Sequence, residues 1–337
     1  MMKEKNSHKY ILLLIVAVTI LAALSVFFYS GGENVEGNSE LLVRVVLIPK
    51  GVNDANVFWA DVIEGAEIAA LERNVELTVL APSYETEIEV QNRLIEEAVE
   101  MRPDAIVLAP VDYTKTIPYA KMVEEAGIKL VILDSLMEEE MGCCVVATDN
   151  LKAGWRMGEY MKPYLNEDSV IGIVEHIKGV STAVEREQGL RDALGEYEKN
   201  IVDIRFGESS YDKSYEQTKE MLTENPDINV IFTLNEDSSA GAARAVRDMG
   251  LGDEISMVGF DSSQEEIQFL ESGIFNAIVV QKPVNMGYLG ISMAYQAARS
   301  QEVPKEVESG SVLITKETIY TEENQKLLFP FRESDGE

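Results

Sequence analysis

From residue 41 onward, short runs rich in β-branched residues alternate with segments whose apolar positions recur at helical spacing. The runs "LLVRVVLI", "VELTVL", "DAIVLA", "KLVILD", "CCVVAT", "SVIGIV", "NIVDIRF", "INVIFTL", "ISMVGF" and "NAIVVQ" read as strands. Between them lie helical segments such as "VFWADVIEGAEIAALERN", "IEVQNRLIEEAVEM", "TAVEREQGLRDALGEY" and "KSYEQTKEMLTEN". Most strand runs are apolar on both faces, and the order is β-α-β-α. That is the pattern of parallel sheets covered by helices, so the chain is expected to be α/β, with doubly wound parallel sheets.

The pattern is written twice. "MRPDAIVLAPVD" and "ENPDINVIFTLNED" each set a Pro-Asp after a helix, then a strand, then a polar turn. "KLVILDS" and "SMVGFDSS" follow at matching places, and each strand ends on an acid, Asp134 and Asp261. Two similar Rossmann-like lobes are therefore expected, with their strand carboxyl ends facing one cleft, where open parallel sheets bind ligands. Either acid could instead cap a following helix.

Length supports the duplication: 337 residues suit two domains of roughly 120 to 150 each. Charge narrows the function. There are 29 Lys and Arg against 59 Asp and Glu, a formal net charge of −30, and such a surface repels phosphate backbones. No nucleic-acid partner is expected. The two cysteines, Cys143 and Cys144, are adjacent and read as small buried residues rather than a disulfide framework. His8 and His176 stand far apart, so no metal site is expected, and no phosphate-cradling glycine loop or hydrolase motif appears. A non-enzymatic protein without a cofactor is the expectation.

The amino end carries Lys3, Lys5 and Lys9 before an uncharged stretch from Tyr10 to Tyr29. At ~1.5 Å per residue this stretch reaches about 30 Å, a bilayer core. The positive flank belongs on the cytoplasmic side, which puts the rest of the chain outside. Both an uncleaved anchor and a cleaved signal fit, the latter ending near "ALS". "SGGENVEGNSE" then reads as a tether.

The ordered set "IPKGVNDANVFWADVIEGAE", "VILDS" with "VATDNLKAG", "STAVEREQGL", "VIFTLNEDSSAGAARA", "SMVGFDSSQEE" and "AIVVQKP" resembles the periplasmic sugar-binding proteins of the ribose and galactose type. The resemblance covers roughly residues 41–330. It implies a type I periplasmic binding protein fold, whose two lobes are joined by a three-stranded hinge, with residues 1–40 as anchor or signal and linker. The first lobe is then 41–148 plus 282–309, and the second 149–281 plus 310–330. Ligand contacts carried over fall on Asn56, Phe58, Trp59, Asp134, Arg186, Tyr211, Asn235, Asp261 and Gln281, with Lys50 and Asp149 as weaker candidates. Phe58 and Trp59 adjoin on one helix and cannot both face the cleft squarely. The implied ligand is a sugar. The implied partners are an ABC permease, a membrane sensor kinase or a chemoreceptor, and the soluble part is monomeric. Where ribose binders commonly have Asp-Arg, this chain has Asp134-Ser135, so specificity is expected to depart from ribose. Two other classes share the two-lobed plan: a sugar-processing enzyme and a lac-type regulator, whose DNA-binding segment is replaced here by the apolar stretch.

Overall fold

All ten strand runs form strands, and the sequential β-α-β order builds two six-stranded sheets. The structure, a computed structural model, describes residues 42–53 and 56–329. Among these, β1 (Val43–Ile48), β2 (Val75–Val79), β3 (Ala105–Leu108), β4 (Lys129–Leu133), β5 (Cys144–Ala147) and β11 (Glu306–Glu308) make the first sheet, in the order β11-β5-β4-β3-β1-β2. All its pairings are parallel. The second sheet takes β6 (Ile171–Glu175), β7 (Ile201–Phe206), β8 (Val230–Thr233), β9 (Ser256–Phe260), β10 (Phe275–Gln281) and β12 (Ser311–Thr315), ordered β12-β10-β9-β8-β6-β7. Only β12 runs antiparallel.

Alternate residues of each strand serve opposite faces, which is why most of the strands are apolar on both. In the first sheet Val45, Leu47, Val107, Val131 and Leu133 face α1 (Val57–Arg73) and α9 (Pro283–Ala298). Val46, Ile48, Ile106, Leu108, Leu130 and Ile132 face α2 (Ile88–Glu100) and α3 (Ile117–Glu125). The second sheet repeats this arrangement. Ile171, Ile173, Phe232 and Phe260 pack on α4 (Asn150–Met161) and α5 (Ser181–Leu194). Val174, Ile231 and Met257 pack toward α6 (Tyr211–Glu224), α7 (Glu236–Asp248) and α8 (Gln264–Ser272).

The helix pairs cross by the same device in both lobes. A Cβ on Gly65 of α1 would stand 1.8 Å from the Val284 carbonyl of α9, and one on Gly154 of α4 would stand 1.9 Å from the Arg186 carbonyl of α5. Only glycine allows backbones to approach so closely.

The chain passes between the sheets three times: after β5, after β10 and between β11 and β12. α9 therefore returns to the first sheet, where Met286, Ile291 and Ala294 join its core. β11 and β12 are absent from the strand reading above. β11 is the three-residue charged "EVE" following Pro304, with no apolar period to announce it. Both cysteines are free, and burial raises the Cys144 thiol to about 11, so it packs as a thiol. Among the described residues no helix is long and apolar enough to cross a membrane. The Tyr10–Tyr29 stretch lies outside the described residues.

Candidate functional site

The two strand-end acids are matched in detail. Asp134 follows β4 with φ 62° and Asp261 follows β9 with φ 78°, both in the left-handed region. Aspartate is among the few non-glycine residues that tolerate it. In both, the backbone N–H still reaches the neighbouring strand: Asp134 donates to the Val146 carbonyl at 2.9 Å, Asp261 to that of Val279 at 2.8 Å. Neither caps the helix that follows it. Asp149 caps α4 by accepting from the Lys152 amide, and Ser263 caps α8.

Their partners differ. Lys50 Nζ lies 2.6 Å from Asp134 Oδ2, with only 5% of either side chain exposed. Among the described residues Asp261 has no such direct ion pair. Its Oδ1 accepts from Gln281 Nε2 at 2.8 Å and its Oδ2 from the Glu236 amide at 3.1 Å, at the first turn of α7. Gln281 Oε1 accepts in turn from Thr148, so the amide ties the strand-end acid to two of the three crossings. Arg186, buried in α5, lies over the Phe260 ring at 3.9 Å and donates to Asn150 Oδ1 and to the Leu234 carbonyl.

These groups line one cavity of about 30 Å³ together with Asn56, Phe58, Glu85, His176, Thr182, Asn235 and Glu236. The cleft is closed by direct contacts between the lobes. Glu236 accepts from the first two amides of α1, Val57 at 2.9 Å and Phe58 at 3.0 Å. Asn56 Nδ2 donates to Asp237 at 3.3 Å, Ser209 Oγ to Glu85 at 2.7 Å, and the Leu136 amide to Ser181 at 2.7 Å. The Glu236 carboxylate thus satisfies orphan amides at a helix start whose own first turn carries no acid.

Burial dominates the electrostatics. It raises Glu236 to about 8, with Asp261 and Asp237 adding repulsion and the two α1 amides opposing. Asp237 is raised to about 7 by burial and then by Glu85, against the Asn56 amide. Asp261 rises to about 6 through burial, countered by Arg186 and Gln281. Glu266, wholly buried behind them, is also driven up by burial and then by Glu236. Burial holds His176 neutral, with Arg186 and Lys50 acting in the same direction.

Of the residues expected at the site, Asn56, Phe58, Asp134, Arg186, Asn235, Asp261, Gln281 and Lys50 come together. Three do not. Trp59 is not part of the cavity wall: it packs in the core edge-on to Phe58 at 5.1 Å and donates its indole N–H at 2.7 Å to Glu85, which does line the cavity. Tyr211 donates to Glu265 and accepts from Arg244 outside the cavity wall. Asp149 is an exposed cap. Asn235 is both a cavity residue and the cap of α7, accepting from the Ser238 amide at 3.0 Å. Glu85, His176, Thr182 and Glu236 went unforeseen. For Glu236 the signal was present, since it adjoins Asn235 in "LNED" at a strand end. Glu85, in the loop "SYETE", offered none.

Residues 45–302 match the family described as periplasmic binding protein domain. The D-ribose/D-allose-binding protein of Pseudomonas aeruginosa is 28% identical over 88% of this chain and 94% of its own. Among solved structures, a sugar transporter from Clostridium phytofermentans is 44% identical, with TM-score 0.77 over 81% of this chain and 98% of that one. An ABC transporter solute binding protein from Agrobacterium vitis with bound D-fucose is 29% identical, with TM-score 0.81 over 85% and 100%.

Proposed function

This chain belongs to the periplasmic binding protein domain family, and from that premise we propose that it captures a sugar or sugar-like small molecule between its lobes, outside the cytoplasmic membrane. The observation that carries the reading is the convergence of two buried left-handed aspartates, one from each sheet, on one cavity. A ligand touching Asp134 and Lys50 on one side and Asp261, Arg186 and Asn235 on the other stabilises closure, because only the closed form offers both sets. Phe58 supplies an aromatic face for the C–H side of a ring, and carboxylates and amides serve its hydroxyls. A relative named for ribose and allose, and a similar structure with bound D-fucose, support the sugar class.

The division into lobes at 41–148 plus 282–309 and 149–281 plus 310–330 is part of this reading, since the crossings at 148, 281 and 309 act as its hinge. So is presentation to an ABC permease or a membrane sensor, with residues 10–29 holding the chain at the membrane or directing its export. The protein acts by binding, without turnover. A thermal-shift screen against monosaccharides tests this. A ligand at ~100 times its dissociation constant should stabilise by roughly 2.7 kcal/mol and be recovered unchanged. No shift from any sugar would refute the reading, and consumption of the sugar would favour a hydrolase on the same scaffold.

A further inference from the structure

Two helix starts meet across the cleft. α1 of the first lobe begins at Val57 and α7 of the second at Glu236, and the opening residues of each bond to those of the other. The first amides of a helix have no acceptor within it, and the positive ends of two helices repel when they face each other. In α1 the Trp59 amide is served from its own lobe, by Asn56 Oδ1 at 3.3 Å. The Val57 and Phe58 amides are served from the other lobe, by Glu236 Oε1 and Oε2 respectively. Asn56 is gripped there too, because its Nδ2 donates to Asp237. Glu236 is itself fixed, 5% exposed, with its own amide on Asp261. A connected series therefore runs from Thr148 through Gln281 and Asp261 to Glu236 and on to α1. The turn at its end carries Asn56 and Phe58, both of which line the cavity.

We propose that Glu236 is a positioning residue for ligand capture, a latch from the second lobe that holds the start of α1, and with it Asn56 and Phe58, whenever the lobes are closed. The latch is protein against protein. It rests on the sugar-binding reading only for what the cavity receives. Both side-chain oxygens of Glu236 are engaged by backbone amides, so the residue acts through closure and not by touching the sugar. Opening withdraws both acceptors and returns the Val57 and Phe58 amides to water. A group that favours the closed form in this way strengthens the binding of every ligand by one common factor.

Hydrogen exchange of the full-length chain, resolved to single amides and measured without added sugar, tests the latch. The Val57 and Phe58 amides should exchange about tenfold or more below the free-chain rate, although their own helix gives them no acceptor. Glu236→Gln leaves one acceptor and should release one of the two amides; Glu236→Ala should release both. The Ile63 and Ala66 amides, deeper in α1, should keep their parental rates and so report that the helix is intact. Free-chain rates at Val57 and Phe58 in the parent, or parental rates at both in Glu236→Ala, overturn the proposal. Calorimetry with D-ribose, D-allose, D-galactose and D-glucose gives the second readout. Glu236→Gln should weaken each sugar that binds by about threefold or more, with their ranking unchanged. Parental affinity in Glu236→Gln, or a changed ranking, which would make Glu236 a sugar contact, also overturns it. If none of the sugars binds, the sugar-binding reading loses its support, and the exchange rates still decide the latch.

Discussion

Asp134 and Asp261 occupy equivalent places, each one residue beyond the fourth strand of its own βαβ series, left-handed, and tied to the next strand by its backbone amide. Their electrostatic settings are opposite. Asp134 is neutralised by Lys50 in a buried pair, while Asp261 is held by an amide side chain and a helix amide with no cation in contact. Repetition of the fold thus reproduced the backbone device but not its charge. The first lobe presents an acid in direct contact with a cation, and the second an acid held by amides and offset by the Arg186 charge without a direct ion pair.

The sharpest way to break this comparison is to remove the partners. Lys50→Met leaves a buried carboxylate alone and should lower unfolding stability by about 3–5 kcal/mol, read by urea titration. Gln281→Leu removes one hydrogen bond to Asp261 and should cost about 1.5–3 kcal/mol. Equal costs would mean that the two settings are not distinct. Neutralising the acids themselves comes next. Asp134→Asn strands Lys50 and should destabilise by about 2 kcal/mol or more, whereas Asp261→Asn trades one hydrogen bond for relief of a buried charge and should stay within about 1 kcal/mol of the parent. Asparagine is the useful replacement because it also tolerates a positive φ.

The smallest expected effect is on pH dependence. Glu236, Asp237 and Asp261 have folded values raised to about 8, 7 and 6. A carboxyl raised on folding holds a proton that the unfolded chain has released. Its stabilisation is complete below the ordinary carboxylate range and is lost as pH rises through the folded value. The ligand-free protein should therefore melt at a lower temperature at pH 8 than at pH 5.5, and Glu236→Gln should flatten the upper part of that slope. A melting temperature that climbs over this range would contradict the charge assignment.

Much of this was legible in the residues because strand periodicity and strand-end acids are local signals. "KLVILDS" and "SMVGFDSS" identified both aspartates, and the order of apolar runs identified the sheets. What was not legible depends on tertiary direction. Phe58 and Trp59 are neighbours in sequence and share one core, but only Phe58 also reaches the cavity wall, while Trp59 stands behind it and holds Glu85. Lys50 is only a weaker ligand candidate in the sequence, and its pairing with Asp134 appears only when the fold brings the two together. Glu85 enters the cleft because Trp59 and Ser209 hold its two oxygens, partners 26 and 124 residues away. Among the described residues β12 is the single antiparallel strand, a position set by the third crossing rather than by its own composition.

The central claim is that both aspartates hold one sugar in the closed cleft. Its most direct test is calorimetric titration of the best ligand from the sugar screen into the parent protein, Asp134→Asn and Asp261→Asn, with folding of each confirmed by urea titration. The account predicts that each substitution weakens binding at least tenfold, including in Asp261→Asn, where stability is nearly unchanged. Parental affinity in a folded Asp261→Asn variant would contradict it.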